Sequence, residues 1–263
     1  MKKHRAFDVL GNIALVRFPK EFEQKDKKKF AEKLLKENKQ VKTVLEKQGK
    51  IKGRLRKIST KYLAGEKNKE VLYRENGCVF RFNIDATYFS PRLSNERKEI
   101  ASKIKNNSEV LVMFAGVGPF PIVIAKNSGA KKVYSNDINR KANKYAKLNI
   151  ELNKLKKRVE LVPGDIKKVA EKLAKKKKKM DVIVMPRPQL KESFLKQAFM
   201  LSRKNTQIYY YAFCKKDEID SAIEKIKIEA EEYGKKIKIL KWKSAGEIAS
   251  NKIRVRIDFE VLG

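Results

Sequence analysis

Gly116-Val117-Gly118, inside the run Val110 to Phe120 (VLVMFAGVGPF), has the residue types and spacing to hold a ligand. Glycine lets a backbone bend sharply and lets a bound molecule come close, and here two glycines separate an apolar run from a helical pattern. Asp137, in Asn136-Asp137-Ile138-Asn139, follows a second β-rich run, Lys132 to Ser135. An ionised carboxylate only accepts hydrogen bonds, so at a strand tip it can take the protons of both ribose hydroxyls of a nucleotide. A third run, Val159 to Val162, ends in Pro163-Gly164-Asp165-Ile166, and a fourth, Met180 to Met185, ends in Pro186-Arg187-Pro188. An ordinary strand-to-helix turn could carry the same glycines. Four such ends on one side of a parallel sheet instead predict a crevice lined by Phe114, Ala115, Gly116, Val117, Gly118, Asp137, Ile138, Asp165, Ile166 and Pro186. The loop lacks the full Gly-x-Gly-x-x-Gly dinucleotide fingerprint, which favours S-adenosylmethionine over NAD as the ligand.

The elements that must position these residues follow from periodicity. Runs that are apolar on both faces are buried parallel strands, and Phe120 to Lys126, Lys141 to Leu155 and Ile166 to Ala174 have helical spacing. Further helices are expected at Leu93 to Ile104, starting near Ser94, at Lys191 to Leu201 and at Glu218 to Tyr233; Gln207 to Phe213 reads as another buried strand. Two closing strands, Ile237 to Trp242 and Ile253 to Val261, flank a loop from Lys243 to Asn251. Ahead of this lies a smaller α+β unit, residues 1–84. It has a turn at Gly11-Asn12 followed by a strand, a helix at Lys29 to Asn38, a short strand at Val41 to Leu45 and a basic, glycine-punctuated stretch at Gly49 to Ile58. Its last element is a hairpin turning at Asn76-Gly77 between Val71 and Ile84.

Composition narrows the class of function. The chain has 263 residues and is 41% hydrophobic, enough for a real core. Lys and Arg total 65 against 31 Asp and Glu, a formal charge of +34, and a field of that sign gathers polyanions. A general lysine bias would give part of this excess, yet a nucleic acid is the expected partner. Only Cys78, Cys214 and His4 are available for soft metal ligation or imidazole chemistry. Zinc sites, histidine acid/base catalysis and a disulfide framework are therefore not expected. The basic start Met1 to Arg5 is followed by no apolar run of signal-peptide or membrane length, so a cytoplasmic protein with no membrane partner is expected.

Two motifs together, Tyr88-Phe89-Ser90-Pro91-Arg92-Leu93-Ser94-Asn95-Glu96-Arg97 and Met113-Phe114-Ala115-Gly116-Val117-Gly118-Pro119-Phe120, resemble the archaeal and eukaryotic tRNA guanine N1-methyltransferases that act at position 37. The paralogues that transfer an aminocarboxypropyl group in wyosine synthesis are similar as well. The resemblance runs from about Phe7 to the end and includes Arg74-Glu75-Asn76-Gly77-Cys78 of the hairpin. It implies a class I (Rossmann-like) S-adenosylmethionine-dependent methyltransferase domain, residues 85–263, preceded by the small α+β domain that positions RNA. The small amino-terminal domain with which many members touch the outer corner of tRNA is expected to be missing.

By the same resemblance Glu96 is the general base. The chemistry agrees, because N1 of guanine carries a proton that must be accepted as the methyl arrives, and no histidine is available to take it. A helix-start residue favoured by the macrodipole is the plainer reading of Glu96. Arg92 and Arg56 are expected to act beside it, since a guanidinium can hold a phosphate or the guanine O6 with paired donors. Arg54, Tyr88, Arg187 and Pro188 complete the expected substrate contacts. The sequence departs from the family twice. Val112 replaces the acidic residue that usually ends the first strand, and Pro186-Arg187-Pro188 replaces Asn-Leu-Pro, removing an amide that would clamp a base. The expected activity is methyl transfer to N1 of guanosine 37 by a monomer that binds the tRNA anticodon loop. Methylation of the tricyclic wyosine precursor at C7 is expected as a second reaction; aminocarboxypropyl transfer, or RNA binding without catalysis, is the alternative.

Overall fold

The computed structural model of the chain describes residues 7–52, 57–186, 192–249 and 251–263. The expected contacts Arg54, Arg56, Arg187 and Pro188 lie outside the described residues. Two compact units divide the chain after Pro91, seven residues beyond the boundary expected from the sequence.

In the first unit β1 (Phe7–Leu10) and β2 (Ile13–Val16) form a hairpin about Gly11-Asn12. After α1 (Gln24–Glu37), β3 (Thr43–Lys52) returns parallel to β2, and β4 (Lys57–Gly65) pairs with it antiparallel. The strand expected at Val41 to Leu45 instead starts at Thr43 and runs on to Lys52, as one arm of a long hairpin. The glycines and lysines around position 50 concealed it, because they break the apolar alternation that marks a strand. Ala14, Val16, Ala31, Leu34, Val44 and Leu63 form the core of this unit. The expected Asn-Gly hairpin is present as β5 (Glu70–Glu75) and β6 (Cys78–Asn83); Asn76 and Gly77 both have positive φ, 48° and 71°, which a two-residue turn between right-twisted strands requires.

The second unit is a seven-stranded sheet. Its strands are β7 (Glu109–Val112), β8 (Lys132–Ser135), β9 (Val159–Leu161), β10 (Met180–Met185), β11 (Ser202–Lys215), β12 (Ile237–Ala249) and β13 (Lys252–Val261). They lie in the order β12-β13-β11-β10-β7-β8-β9. Strands β9, β8, β7, β10 and β11 are parallel, and β13 runs antiparallel to β11 and β12. Helices α2 (Ser94–Lys103), α3 (Pro119–Asn127), α4 (Arg140–Leu152), α5 (Ile166–Lys175), α6 (Leu195–Leu201) and α7 (Ile219–Glu232) connect and cover it. Val110, Leu111 and Val112 are wholly buried, as a central parallel strand requires. Two expectations are corrected here. The segment from Lys243 to Asn251, read as a loop, is strand through Ala249, so β12 and β13 make one long hairpin with register shifts. The helix expected from Lys191 begins only at Leu195, after Phe194 in left-handed backbone.

Candidate active site

The apolar β7 runs directly into the glycine loop. Phe114, Gly116 and Gly118 all take positive φ, 57°, 59° and 88°. For glycine this costs little, but for a phenylalanine it is strained, and such strain persists only where surroundings enforce it. Here the next amide, Ala115 N–H, donates to the carbonyl of Asn136 at 2.7 Å, and the Phe114 ring meets Phe194 edge-on with centroids 5.1 Å apart. A Cβ at Gly118 would stand 3.2 Å from Ile122 Cδ1, a crowded contact within α3, and at an ordinary 3.6 Å from Ala146 Cβ of α4. The Asn149 amide donates to the Val117 carbonyl at 3.0 Å and ties α4 to the same loop.

Asp137 stands just beyond β8, half-buried, with both oxygens on this architecture: Oδ2 accepts from Gly116 N–H and Oδ1 from Asn139 N–H, each at 2.7 Å. A carboxylate only accepts hydrogen bonds, the kind of partner that ribose hydroxyls need. Asn136, behind it, donates to the carbonyls of Val162 and Gly164 at 2.8 and 3.1 Å and so joins the ends of β8 and β9. Asn139 caps α4 by accepting from Lys141 and Ala142 N–H. Asp165 caps α5, accepting from Lys167 N–H at 3.0 Å, and is half-buried. Pro186 follows the last residue of β10 and is half-buried.

Glu96 lies in the first turn of α2 and is only 6% exposed. Its Oε1 accepts from the Tyr211 hydroxyl at 2.8 Å and from Arg256 Nη1; Oε2 lies 3.5 Å from Lys243 Nζ. Arg256, 0% exposed, gives Nε and Nη2 to Asp258 at 2.6 and 3.0 Å and Nη2 to Glu99 at 2.8 Å. Lys103 reaches Glu99 at 2.8 Å and Asp258 at 3.4 Å, and Lys243 also pairs with Glu99. Burial opposes ionisation of Glu99, but hydrogen bonds from Arg256, Lys103 and Lys243 outweigh it and hold its carboxyl well below the usual range. Burial pushes the Tyr211 hydroxyl far above its ordinary value, and the negative charge of Glu96 adds to this, so Tyr211 remains a donor. The Tyr211 ring packs against Phe120 of α3, centroids 6.1 Å apart at 67°, and Arg97 lies over the Phe120 ring with Cζ 5.7 Å from its centroid. Glu96 is thereby linked through one aromatic pair to the helix that the glycine loop starts.

Of the expected cofactor contacts, Phe114, Gly116, Asp137, Ile138, Asp165 and Pro186 keep accessible surface at one end of the sheet. Val117 and Ile166 are buried in the core at 0% and 2% exposure, so they shape the loop and α5 rather than line a surface. Ala115 is likewise buried, with its N–H spent on Asn136. Arg92 is exposed and Tyr88 half-buried. Sequence reasoning missed Tyr211, Arg256, Asp258, Glu99 and Lys243. A signal existed for part of this set: Arg254, Arg256 and Asp258 alternate with Ile253, Val255, Ile257 and Phe259, which places a charged face on a buried strand.

The strand order, the single antiparallel strand and the glycine loop facing Asp137 define a class I, Rossmann-like S-adenosylmethionine-dependent methyltransferase domain. The "TRM5/TYW2 methyltransferase domain" matches residues 71–240, and the "TYW2 N-terminal domain" matches residues 2–68. The tRNA (guanine(37)-N(1))/4-demethylwyosine(37)-methyltransferase Taw22 of Nanoarchaeum equitans is 31% identical, with 98% of this chain and 100% of that protein covered. The crystal structure of Trm5b from Pyrococcus abyssi superposes with a TM-score of 0.85 at 33% identity, over 98% of this chain and 75% of that one. A solved complex of aTrm5 with tRNALeu gives 0.83 at 30% identity, over 97% and 72%. The chain belongs to the TRM5/TYW2 methyltransferase family.

Proposed function

We propose that the protein methylates N1 of guanosine 37 in tRNA with S-adenosylmethionine as the donor. The observation that carries this reading is the joining, in one unit, of a glycine loop held by Asp137 to a buried carboxylate, Glu96, through Tyr211 and Phe120. The residues fit the cofactor: Asp137 sets an acceptor-only carboxylate beside the loop, Phe114 offers a half-buried ring, and Gly116 lets the backbone close on the ligand. When bound, the cofactor supplies an electrophilic methyl group on a sulfonium. The chain's own part is then to orient guanine, accept the N1 proton at Glu96 as the new N–C bond forms, and stabilise charge at O6 with Arg92 or Arg56. Arg54, Tyr88, Arg187 and Pro188 serve as further contacts to the anticodon loop. The protein acts as a monomer in the cytoplasm, with the small amino-terminal unit positioning the tRNA.

The Nanoarchaeum relative supports a second reading, since its name carries both guanosine 37 and 4-demethylwyosine. Pro186 cannot clamp a base edge as an asparagine would, which suits a site that also admits the larger tricyclic ring. Incubation of unmodified tRNA with enzyme and cofactor, followed by nucleoside mass spectrometry, tests the main reading. N1-methylguanosine at position 37 is expected; an aminocarboxypropyl product, or no product, overturns it. With tRNA already carrying the precursor, absence of a C7-methylated nucleoside removes the second reading only.

A further inference from the structure

The polar cluster between α2 and the β11-β13-β12 end of the sheet is more elaborate than anchoring a helix requires. We propose that Arg256 and Tyr211 are positioning residues for Glu96, fixing its Oε1 so that Oε2, 3.5 Å from Lys243 Nζ, is the oxygen that takes the substrate proton. This rests on the reading of Glu96 as the base.

Three observations support it. First, the guanidinium of Arg256 is oriented independently of Glu96: Asp258 takes Nε and Nη2 bidentately and Glu99 takes Nη2, which leaves Nη1 aimed at Glu96. A planar fork held on one edge presents its remaining donor in a fixed direction, which a lysine cannot do. Second, Tyr211 is clamped at both ends, its hydroxyl on Glu96 and its ring on Phe120, so the carboxylate is registered against the first turn of α3, which starts at the glycine loop. Third, a buried guanidinium shared by several carboxylates is an expensive way to stabilise a core, since apolar residues of similar volume serve at least as well. Such expense is expected where orientation matters to chemistry. The charged and titratable groups in contact with Glu96 are Arg256 from β13, Lys243 from β12 and Tyr211 from β11, with Glu99 and Asp258 held on Arg256; the first turn of α3 presents Phe120 and no acid.

Tyr211→Phe is the decisive variant because it deletes one donor and keeps the packing. Parent, Tyr211→Phe, Arg256→Lys and Glu96→Gln are compared by single-turnover methyl transfer across pH, with cofactor and tRNA affinities measured separately. Tyr211→Phe should bind both ligands as the parent does and react on the order of tenfold more slowly at neutral pH. Losing a donor to the charged carboxylate favours its protonated form, so the rising limb of the rate profile should move to higher pH. Arg256→Lys should move the limb the same way, with a larger loss of rate. Adding Tyr211→Phe to Glu96→Gln should cost nothing further, as expected for residues acting as one unit. A slow Glu96→Gln beside Tyr211→Phe and Arg256→Lys that keep the parent's rate and pH limb overturns the proposal and leaves the reading of Glu96 intact. A Glu96→Gln that reacts at the parent's rate removes that reading, and the proposal with it. Lowered melting temperature with an unmoved pH limb assigns the pair to structure alone and also defeats the proposal.

Discussion

Asp137 holds the loop and, in the function proposed above, the cofactor, so its substitution tests that assignment. Asp137→Asn keeps an acceptor for the Asn139 amide but places an amide group where Oδ2 takes the Gly116 N–H. Cofactor affinity measured by calorimetry should fall by roughly tenfold to a hundredfold, about 1.5 to 3 kcal/mol, the cost of losing a charge-assisted hydrogen bond. Unchanged affinity would dismiss Asp137 as a cofactor ligand. Residues like this were legible in the sequence because a strand tip places its functional side chain a fixed distance from an apolar run. Arg256 was not legible as a partner of Glu96, which lies 160 residues away. Only the pairing of β13 with β11, and the seating of α2 over them, brings the two together, and no local pattern encodes that.

Among the elements, α2 is held to the sheet by charge as much as by apolar contact. Ile100 and Ala101 are buried, while Glu99 and Lys103 reach Arg256, Asp258 and Lys243 on β13 and β12. Glu99 is the group whose folded carboxyl is depressed, so its stabilisation is complete above the unfolded value near 4.5 and is lost as pH falls below it. Glu99→Gln should therefore lower the melting temperature at pH 7 by roughly 2 to 4 °C, the shift that about 1 kcal/mol gives in a domain of this size. It should also lose less between pH 6 and pH 3 than the parent does. Parallel melting curves for the two proteins over that range would show that the ion pairs do not carry the pH dependence. The helices and parallel strands that build this layer were readable from their periodicity, whereas β4 and the second half of β12 were not. Both are rich in lysine, glycine or serine, and their strand character comes from pairing with a neighbour rather than from intrinsic preference.

At the scale of the whole molecule, the excess of 65 basic over 31 acidic residues dominates, and part of it sits on helices of the sheet unit. Lys141, Lys144 and Lys147 of α4 and Lys167, Lys168, Lys172 and Lys175 of α5 are exposed. Exposed lysines of this kind contribute little to folding but neutralise phosphates, and each neutralised phosphate releases a condensed counterion. Binding of tRNA should therefore weaken linearly on a double-logarithmic plot against salt. If about six phosphates are contacted, affinity should fall on the order of a thousandfold between roughly 50 and 200 mM salt. Cofactor affinity should barely respond over the same range, because Asp137 and the glycine loop act at short range in a half-buried site. Filter binding of tRNA and calorimetry of the cofactor, run in parallel, distinguish the two. A flat salt response for tRNA would mean that the charge serves something other than RNA, and equal slopes for both ligands would mean that salt acts on the fold.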